Sequence, residues 1–163
     1  ESVKIPSRYR ALPMCMEKNQ MSIPEELIEV REHTAEGYSP VVDYSAWRVA
    51  VLNFCDTLLP ERLTEMQRHN ETDEVFVLLR GSCILFVGSG DDNVNEIFAE
   101  DMQPHKVYNV RKSTWHTHTL SKEAMVLVVE NRDTTFDNSP FTPLTDAQQK
   151  TIIRITDTLW GND

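Results

Sequence analysis

Short apolar runs with strand-like alternation dominate the middle of the chain. Residues 47–55 alternate so that both faces of the run carry apolar side chains, as expected of a buried strand. Further strand-like runs cover residues 75–79, 83–87, 95–99, 107–110, 115–120 and 125–130. Turn signals, among them Gly81 and the loop 88–93, separate these runs. Many short strands without helices between them predict an all-β, antiparallel sandwich or barrel, not a parallel sheet.

Helical patterns flank this strand-rich middle. Residues 22–25 have the form of a capping box, and apolar residues follow at helical spacing, which predicts a helix near residues 23–34. Residues 145–148 form a second capping box and predict a C-terminal helix that packs an apolar stripe on the barrel. We therefore expect one domain over residues 1–163, made of a helical N-terminal extension (1–40), a β-barrel (41–131) and a C-terminal loop and helix (132–163).

Composition argues against several classes of partner. A chain of 163 residues can bury a sizeable core without disulfides or structural metal. Its formal charge of -10 at pH 7 repels phosphate, so we expect neither nucleic acid nor an anionic membrane as a partner. The three cysteines are widely spaced and are interpreted as reduced thiols. With no leader or long apolar span evident, these thiols predict a cytoplasmic location.

Polar side chains enter the apolar strand pattern at two places. Gln67 and His69 lie two positions apart and project to the same side of an extended strand, and Glu74 can rejoin that side after a turn. His116 and His118 form a second pair of this kind. If the two strands are neighbours, these side chains converge inside the barrel. The candidate metal ligands are Gln67, His69, Glu74 and His116, whose donor atoms suit Fe, Mn, Ni, Co or Zn and leave positions for water and substrate.

The stretch QRHNETDEVFVLLRG, residues 67–81, resembles the latter part of the first motif of the cupin superfamily of small jelly-roll barrels. His69 matches the second histidine of that motif, Glu74 its glutamate and Gly81 its closing glycine. His116 matches the histidine of the second motif. The resemblance implies an antiparallel cupin-type jelly-roll β-barrel in which His69, Glu74 and His116 bind a divalent cation, with the flanking helices outside the match.

The chain also departs from the motifs over the 45–131 region that the resemblance covers. Gln67 stands where the first histidine is usual, and Leu120 stands where the second motif has asparagine. A neutral amide is a poorer ligand than imidazole for a transition metal, so metal affinity should be weaker. Glu71 is an alternative ligand, in the register that makes His69 the first histidine.

The resemblance implies a barrel that acts on a small polar molecule, either sugar-like or carboxylate-bearing. An isomerase or epimerase would use Glu74 or His118 to move a proton, whereas an oxygenase would need iron with two open positions. The alternative is a non-catalytic ligand-binding or regulatory barrel with a degenerate metal site. Cupins commonly pair through sheet edges or exchanged strands, so the resemblance also implies a homodimer, with residues 37–44 as a candidate exchanged segment.

Overall fold

The computed structural model describes residues 23–161, and the chain divides into two compact units, residues 1–30 and 31–163. The described part of the first unit, residues 23–30, contains one turn in which the amides of Leu27 and Ile28 both donate to the carbonyl of Pro24. The helix predicted over residues 23–34 is therefore wrong, and residue 22 of its capping box lies outside the described residues. Leu27 and Val30 are exposed, so within residues 23–161 the apolar stripe has no tertiary packing that would offset the cost of starting a short helix.

The second unit folds into two antiparallel sheets of five strands each. The first sheet, sheet A, has the spatial order β1 (Gly37–Tyr44), β2 (Trp47–Asn53), β9 (Met125–Asn131), β4 (Glu74–Arg80) and β7 (Tyr108–Val110). The second, sheet B, has the order β10 (Phe141–Pro143), β3 (Glu65–Gln67), β8 (Trp115–Leu120), β5 (Cys83–Gly88) and β6 (Ile97–Asp101). Two short 3-10 helices, Asp56–Leu58 and Pro60–Arg62, link β2 to β3. The predicted all-β antiparallel fold is confirmed.

Period-two burial along two strands of sheet A, β9 and β4, builds much of the core. In β9 every second side chain is buried, and Val126 and Val128 point inward. In β4 the inward positions are occupied by Phe76 and Leu78, which are also almost fully buried. Burying each such side chain stabilises the fold by about 1.5–3 kcal/mol. The same alternation points the polar residues at the strand ends into the barrel, and this positions the site described below.

A tight turn at Gly81 joins β4 to β5. The φ angle of Gly81 is +69°, a conformation that L side chains rarely adopt. A Cβ atom at this position would lie 2.5 Å from the Cα atom of Ala124. The glycine thus meets both a backbone requirement and a packing requirement. Gly37 has a similar φ of +81°, but a Cβ there would meet no atom within 4 Å.

The C-terminal helix α1 (Asp146–Trp160) confirms the second predicted capping box. The side chain of Thr145 accepts a hydrogen bond from the amide of Gln148, whose side chain in turn accepts one from the amide of Thr145. Ile152 is fully buried in a cluster that includes Met66 of β3. Among the described residues, no helix is both long and apolar enough to span a membrane.

Three strands lie outside the apolar runs from which the strands were predicted. They are β1, β3 and β10, and β3 and β10 have three residues each. The eight-residue β1 contains a proline at Pro40, where the register with β2 shifts. Proline lowers the strand signal in a sequence because it cannot donate to the ladder, although edge strands and bulges tolerate it. The predicted division at residues 40 and 131 stays a prediction.

Candidate metal centre

The four predicted ligand residues come from both sheets and meet inside the barrel. Gln67 ends β3 and pairs with His116 of β8 in sheet B. His69 lies in the loop after β3, and Glu74 is the first residue of β4 in sheet A. His69, Glu74 and His116 are all buried. The convergence expected from the sequence is therefore found, and we call these three residues the triad.

The spacing of the triad suits a single cation. The Oε2 atom of Glu74 lies 3.0 Å from Nε2 of His69 and 2.8 Å from Nε2 of His116. The three ligand atoms all lie within 4.8 Å of one another. Adjacent ligands on a metal with bonds of about 2.0–2.2 Å lie about 3 Å apart. A His–Glu–His group with this spacing could hold a divalent metal.

Both histidines of the triad are fixed from behind through Nδ1. The Nδ1 atom of His116 lies 3.0 Å from the carbonyl of Thr114, which can only accept, so this nitrogen carries the proton. The Nδ1 atom of His69 lies 2.7 Å from Oγ of Ser139, and that hydroxyl donates to the side chain of Asn138. The hydrogen-bond network therefore assigns an Nδ1 proton to each ring and leaves Nε2 facing Glu74. Such outer hydrogen bonds are typical of metal-binding histidines.

This arrangement calls for positive charge at the centre of the triad. With Nδ1 protonated, each Nε2 can contact the Glu74 carboxylate only if it carries a second proton or if a cation lies between them. Two buried imidazolium ions are costly because burial disfavours the charged form of a histidine. One divalent cation would supply the same charge and accept both lone pairs. The residues present therefore fit a metal.

The titration properties of the triad agree with cation binding. Burial raises the pKa of Glu74, but hydrogen bonds from His116 and His69 outweigh it and hold the pKa at about 2. Burial lowers the pKa of His69, but its hydrogen bond and charge interaction with Glu74 outweigh this and leave the pKa raised. Glu74 is consequently ionised at neutral pH, which is the form that binds a metal.

Of the two candidates for a fourth ligand, Gln67 lies beside the triad and Glu71 does not. The Nε2 atom of Gln67 is 3.3 Å from Nε2 of His69. Rotating the amide would turn its oxygen toward the same point. Glu71 is exposed and accepts a hydrogen bond from Asn138 at 3.4 Å. The geometry therefore favours Gln67.

His118 lies on the same face of β8 as His116, as the sequence indicates. Its ring centroid is 5.8 Å from that of Phe76, which points into the barrel. The Nδ1 atom is buried and has no hydrogen-bond partner among the described residues. Burial lowers the pKa of His118 to about 4, so the ring is neutral at pH 7. A neutral imidazole with a free nitrogen can accept a proton.

The sequence interpretation missed a buried carboxylate close to the triad. Glu130 of β9 is buried, and its Oε1 atom accepts a hydrogen bond from the hydroxyl of Tyr38 on β1. Burial raises the pKa of Tyr38, and the Glu130 carboxylate raises it further. Burial also raises the pKa of Glu130, an effect to which Glu74 adds. A signal was present, because Glu130 continues the inward positions of Val126 and Val128.

No protein-family model and no curated protein matches the chain. Similar solved structures include a cupin-2 domain containing protein from Shewanella frigidimarina, with 17% identity, 61% of this chain and 85% of that chain covered, and a TM-score of 0.44. Streptomyces PAC13, solved with uridine, has 9% identity and a TM-score of 0.49, and the match covers 73% of this chain and 89% of that chain. The capsular polysaccharide assembling protein CapF from Staphylococcus aureus has 13% identity, coverage of 71% and 34%, and a TM-score of 0.49.

The assignment of the fold depends on the chain itself. Its two antiparallel five-stranded sheets enclose a buried His–Glu–His group at the positions of the two sequence motifs. These sheets, with His69, Glu74 and His116 gathered between them, form an antiparallel jelly-roll β-barrel with a buried polar centre.

Proposed function

We propose that the chain binds a divalent metal through His69, Glu74 and His116 and acts on a small polar molecule at that site. The observation that carries this proposal is the orientation of the two imidazoles, each held at Nδ1 and each directing Nε2 at the same carboxylate oxygen. Gln67 supplies an amide as a weaker fourth ligand. Fe, Mn, Ni, Co and Zn all accept this donor set.

The reaction that we favour is an isomerisation or epimerisation. A bound divalent cation supplies Lewis acidity toward a carbonyl oxygen. His118 is the better candidate to move the proton, because its Nδ1 atom is free among the described residues and its ring is neutral at pH 7. Glu74 is the weaker base, since both imidazoles bind its carboxylate.

An oxygenase is the second candidate. The observation that favours it is the ligand set itself, because two histidines and one carboxylate are the ligands of non-haem Fe(II) oxygenases. Metal identity separates the two reactions. Iron that supports oxygen uptake would favour the oxygenase, whereas activity with redox-inert zinc would favour the isomerase.

The non-catalytic alternative is a ligand-binding or regulatory barrel whose metal site has been lost. It is favoured by Gln67, which stands where the cupin motif has a histidine. In that case sugars or carboxylates would stabilise the metal-free protein against thermal unfolding. A metal-free protein that responds to such ligands would support this alternative.

The proposal is tested by elemental analysis of protein purified without a histidine tag. We expect close to one equivalent of metal in the wild type and loss of that metal in His69→Ala and His116→Ala. His105→Ala is the matched control, because His105 is exposed and remote from the triad in the sequence. A wild-type protein that takes up no Mn, Fe, Ni or Zn would refute the hypothesis of a metal-dependent activity.

We further propose a homodimer and a cytoplasmic location. The strand Gly37–Tyr44 pairs with β2 of its own chain and forms an edge of sheet A, which leaves its outer side available for pairing. Cys55 and Cys83 are free thiols, in keeping with a reducing compartment. Sedimentation velocity tests the dimer, and a monomer at micromolar concentration would contradict it. Cell fractionation tests the location.

A further inference from the structure

Four charged side chains form a row across the inner face of sheet A. Asp43 of β1 pairs with Arg48 of β2, and Arg48 pairs with Glu130 of β9. The residue before Glu130 pairs with the residue after Glu74, so Glu130 lies next to Glu74 across the two strands. Directly paired residues project to the same face of a sheet. The charged row, defined as Asp43, Arg48, Glu130 and Glu74, therefore runs from the edge of the sheet to the triad.

The charged row leads from solvent to the buried centre. The side chain of Asp43 is 41% exposed and that of Arg48 is 18% exposed. The side chains of Glu130 and Glu74 are 5% and 7% exposed. A small molecule that approached over β1 and β2 would meet Arg48 and Glu130 before it reached the triad. Arg48 and Glu130 therefore lie where they could contact a substrate bound at the triad.

The polar groups of the charged row are not fully occupied by one another. The Nη1 atom of Arg48 is 3.9 Å from Oε1 of Glu130, which is longer than a hydrogen bond. The Nε atom of Arg48 donates to Asp43 at 2.9 Å, and a guanidinium has five N–H donors in total. Tyr38 donates to Glu130 and fixes the orientation of that carboxylate. A cationic donor on β2 and an anionic acceptor on β9 therefore stand side by side, and the acceptor lies next to Glu74 of the triad.

The charges of the row set a condition on any anionic ligand. The row itself carries one positive and three negative side chains, an excess of negative charge that repels an anion. A divalent cation at the triad balances that excess. Binding of an anionic ligand should therefore depend on metal.

We propose that Glu130 and Arg48 bind a 2-hydroxycarboxylate against the triad. The ligand hydroxyl donates to the carboxylate of Glu130, and the ligand carboxylate accepts from the guanidinium of Arg48. Tyr38 acts as a positioning residue that holds Glu130. The inference rests on the proposed function, because the site needs the cation of the triad to balance its charge. The alternative is a purely structural role, in which the charged row is an ion-pair network that stabilises the packing of β1, β2 and β9.

Three small probes separate these two roles. Glycolate carries both groups, acetate carries only the carboxylate, and ethylene glycol carries only hydroxyls. Their affinities for the Co²⁺-loaded full chain are measured by calorimetry and by the visible spectrum of the bound cobalt. We expect glycolate to bind at least about tenfold more tightly than either of the others, since a hydrogen bond to a charged group contributes that much. Removing the metal should weaken glycolate binding by at least about tenfold.

Two substitutions should act on different parts of the ligand. Glu130→Gln should reduce the preference for glycolate over acetate, and Arg48→Met, which removes the positive charge, should abolish the preference for glycolate over ethylene glycol. Glu100→Gln, an exposed change on β6, is the control and should leave both preferences unchanged. Thermal unfolding and cobalt content are measured for every variant. If Glu130→Gln does not fold, Tyr38→Phe is the second variant, because it keeps the ring but removes the hydroxyl that donates to Glu130. Tyr38→Phe should reduce the preference for glycolate over acetate.

The outcomes distinguish this inference from the proposed function. If the wild type holds no metal, the proposed function fails and the inference fails with it. If cobalt binds normally but Glu130→Gln keeps the full preference for glycolate over acetate, then chelation by the metal explains the preference and the inference alone is wrong. Equal weakening of all three probes in both variants would support the ion-pair network and would also overturn the inference.

Discussion

Glu74→Gln removes the negative charge from the centre of the triad while keeping the side-chain size. In the metal-free protein the two imidazoles hold the pKa of Glu74 at about 2, against 4.5 for the unperturbed group. This difference corresponds to about 3 kcal/mol of stabilisation of the folded protein by the ionised carboxylate. Glu74 is buried, so solvent does not screen these contacts appreciably. We expect the substitution to lower the unfolding free energy by up to about 3 kcal/mol.

The pH dependence of this loss has a defined sign. Because the folded pKa of Glu74 lies below its unfolded value, its contribution is complete above pH 4.5 and is lost as the pH falls toward 2. Because the folded pKa of His69 lies above its unfolded value of 6.5, its contribution is complete below that value and is lost as the pH rises through the folded pKa. The two groups share one interaction. The loss caused by Glu74→Gln should therefore be largest between pH 4.5 and 6.5.

Urea unfolding in the presence of EDTA measures this loss across the pH range. We expect a difference between wild type and Glu74→Gln of about 3 kcal/mol near pH 5.5 and a smaller difference at both pH extremes. Glu71→Gln is the matched control, because that carboxylate is exposed and lies outside the triad, and should change stability by less than about 0.5 kcal/mol. A difference below about 1 kcal/mol at pH 5.5, or one that does not vary with pH, would show that the imidazoles do not stabilise the ionised Glu74 carboxylate.

Gly81→Ala should lower the free energy of unfolding in urea by about 3 kcal/mol or more, because the new Cβ would overlap Ala124. Gly37→Ala should lower it by only about 1 kcal/mol, because a Cβ there meets no atom within 4 Å. Equal losses would contradict the packing role of Gly81. Ser139→Ala removes the oxygen that anchors one imidazole at 2.7 Å and should lower metal affinity by about 10–100-fold in competition with a chelator. Unchanged affinity would show that the anchor is dispensable. Burial raises the pKa of Cys83 to about 12. In a variant that keeps only Cys83, the thiol should react with a disulfide reagent only after unfolding, whereas in a variant that keeps only Cys55 the thiol should react in the native protein. Rapid native labelling of the buried thiol would contradict its burial.

The strands and the C-terminal helix could be predicted because their signals are local. The strands β2, β4 and β9 are each a mostly apolar run of seven residues, which is visible in the sequence without knowledge of their neighbours. The capping box at Thr145 and Gln148 is contained in four residues. The helix predicted near residue 23 used the same kind of local signal and was wrong. Local propensity cannot report whether a helix has a surface to pack against, and the exposed Leu27 has none among the described residues.

The triad and the charged row differ in how much a sequence can reveal of them. His69 and Glu74 lie within one short motif, and one further histidine completes the group. The row joins Arg48 to Glu130, which is 82 positions away, and that pairing depends on the register of β2 with β9. Nevertheless, a charged residue in the inward phase of an apolar strand costs free energy unless it has a partner. The inward phase of Glu130 was therefore evidence for an interior polar site, although only the sheet register identifies Arg48 and Tyr38 as its neighbours.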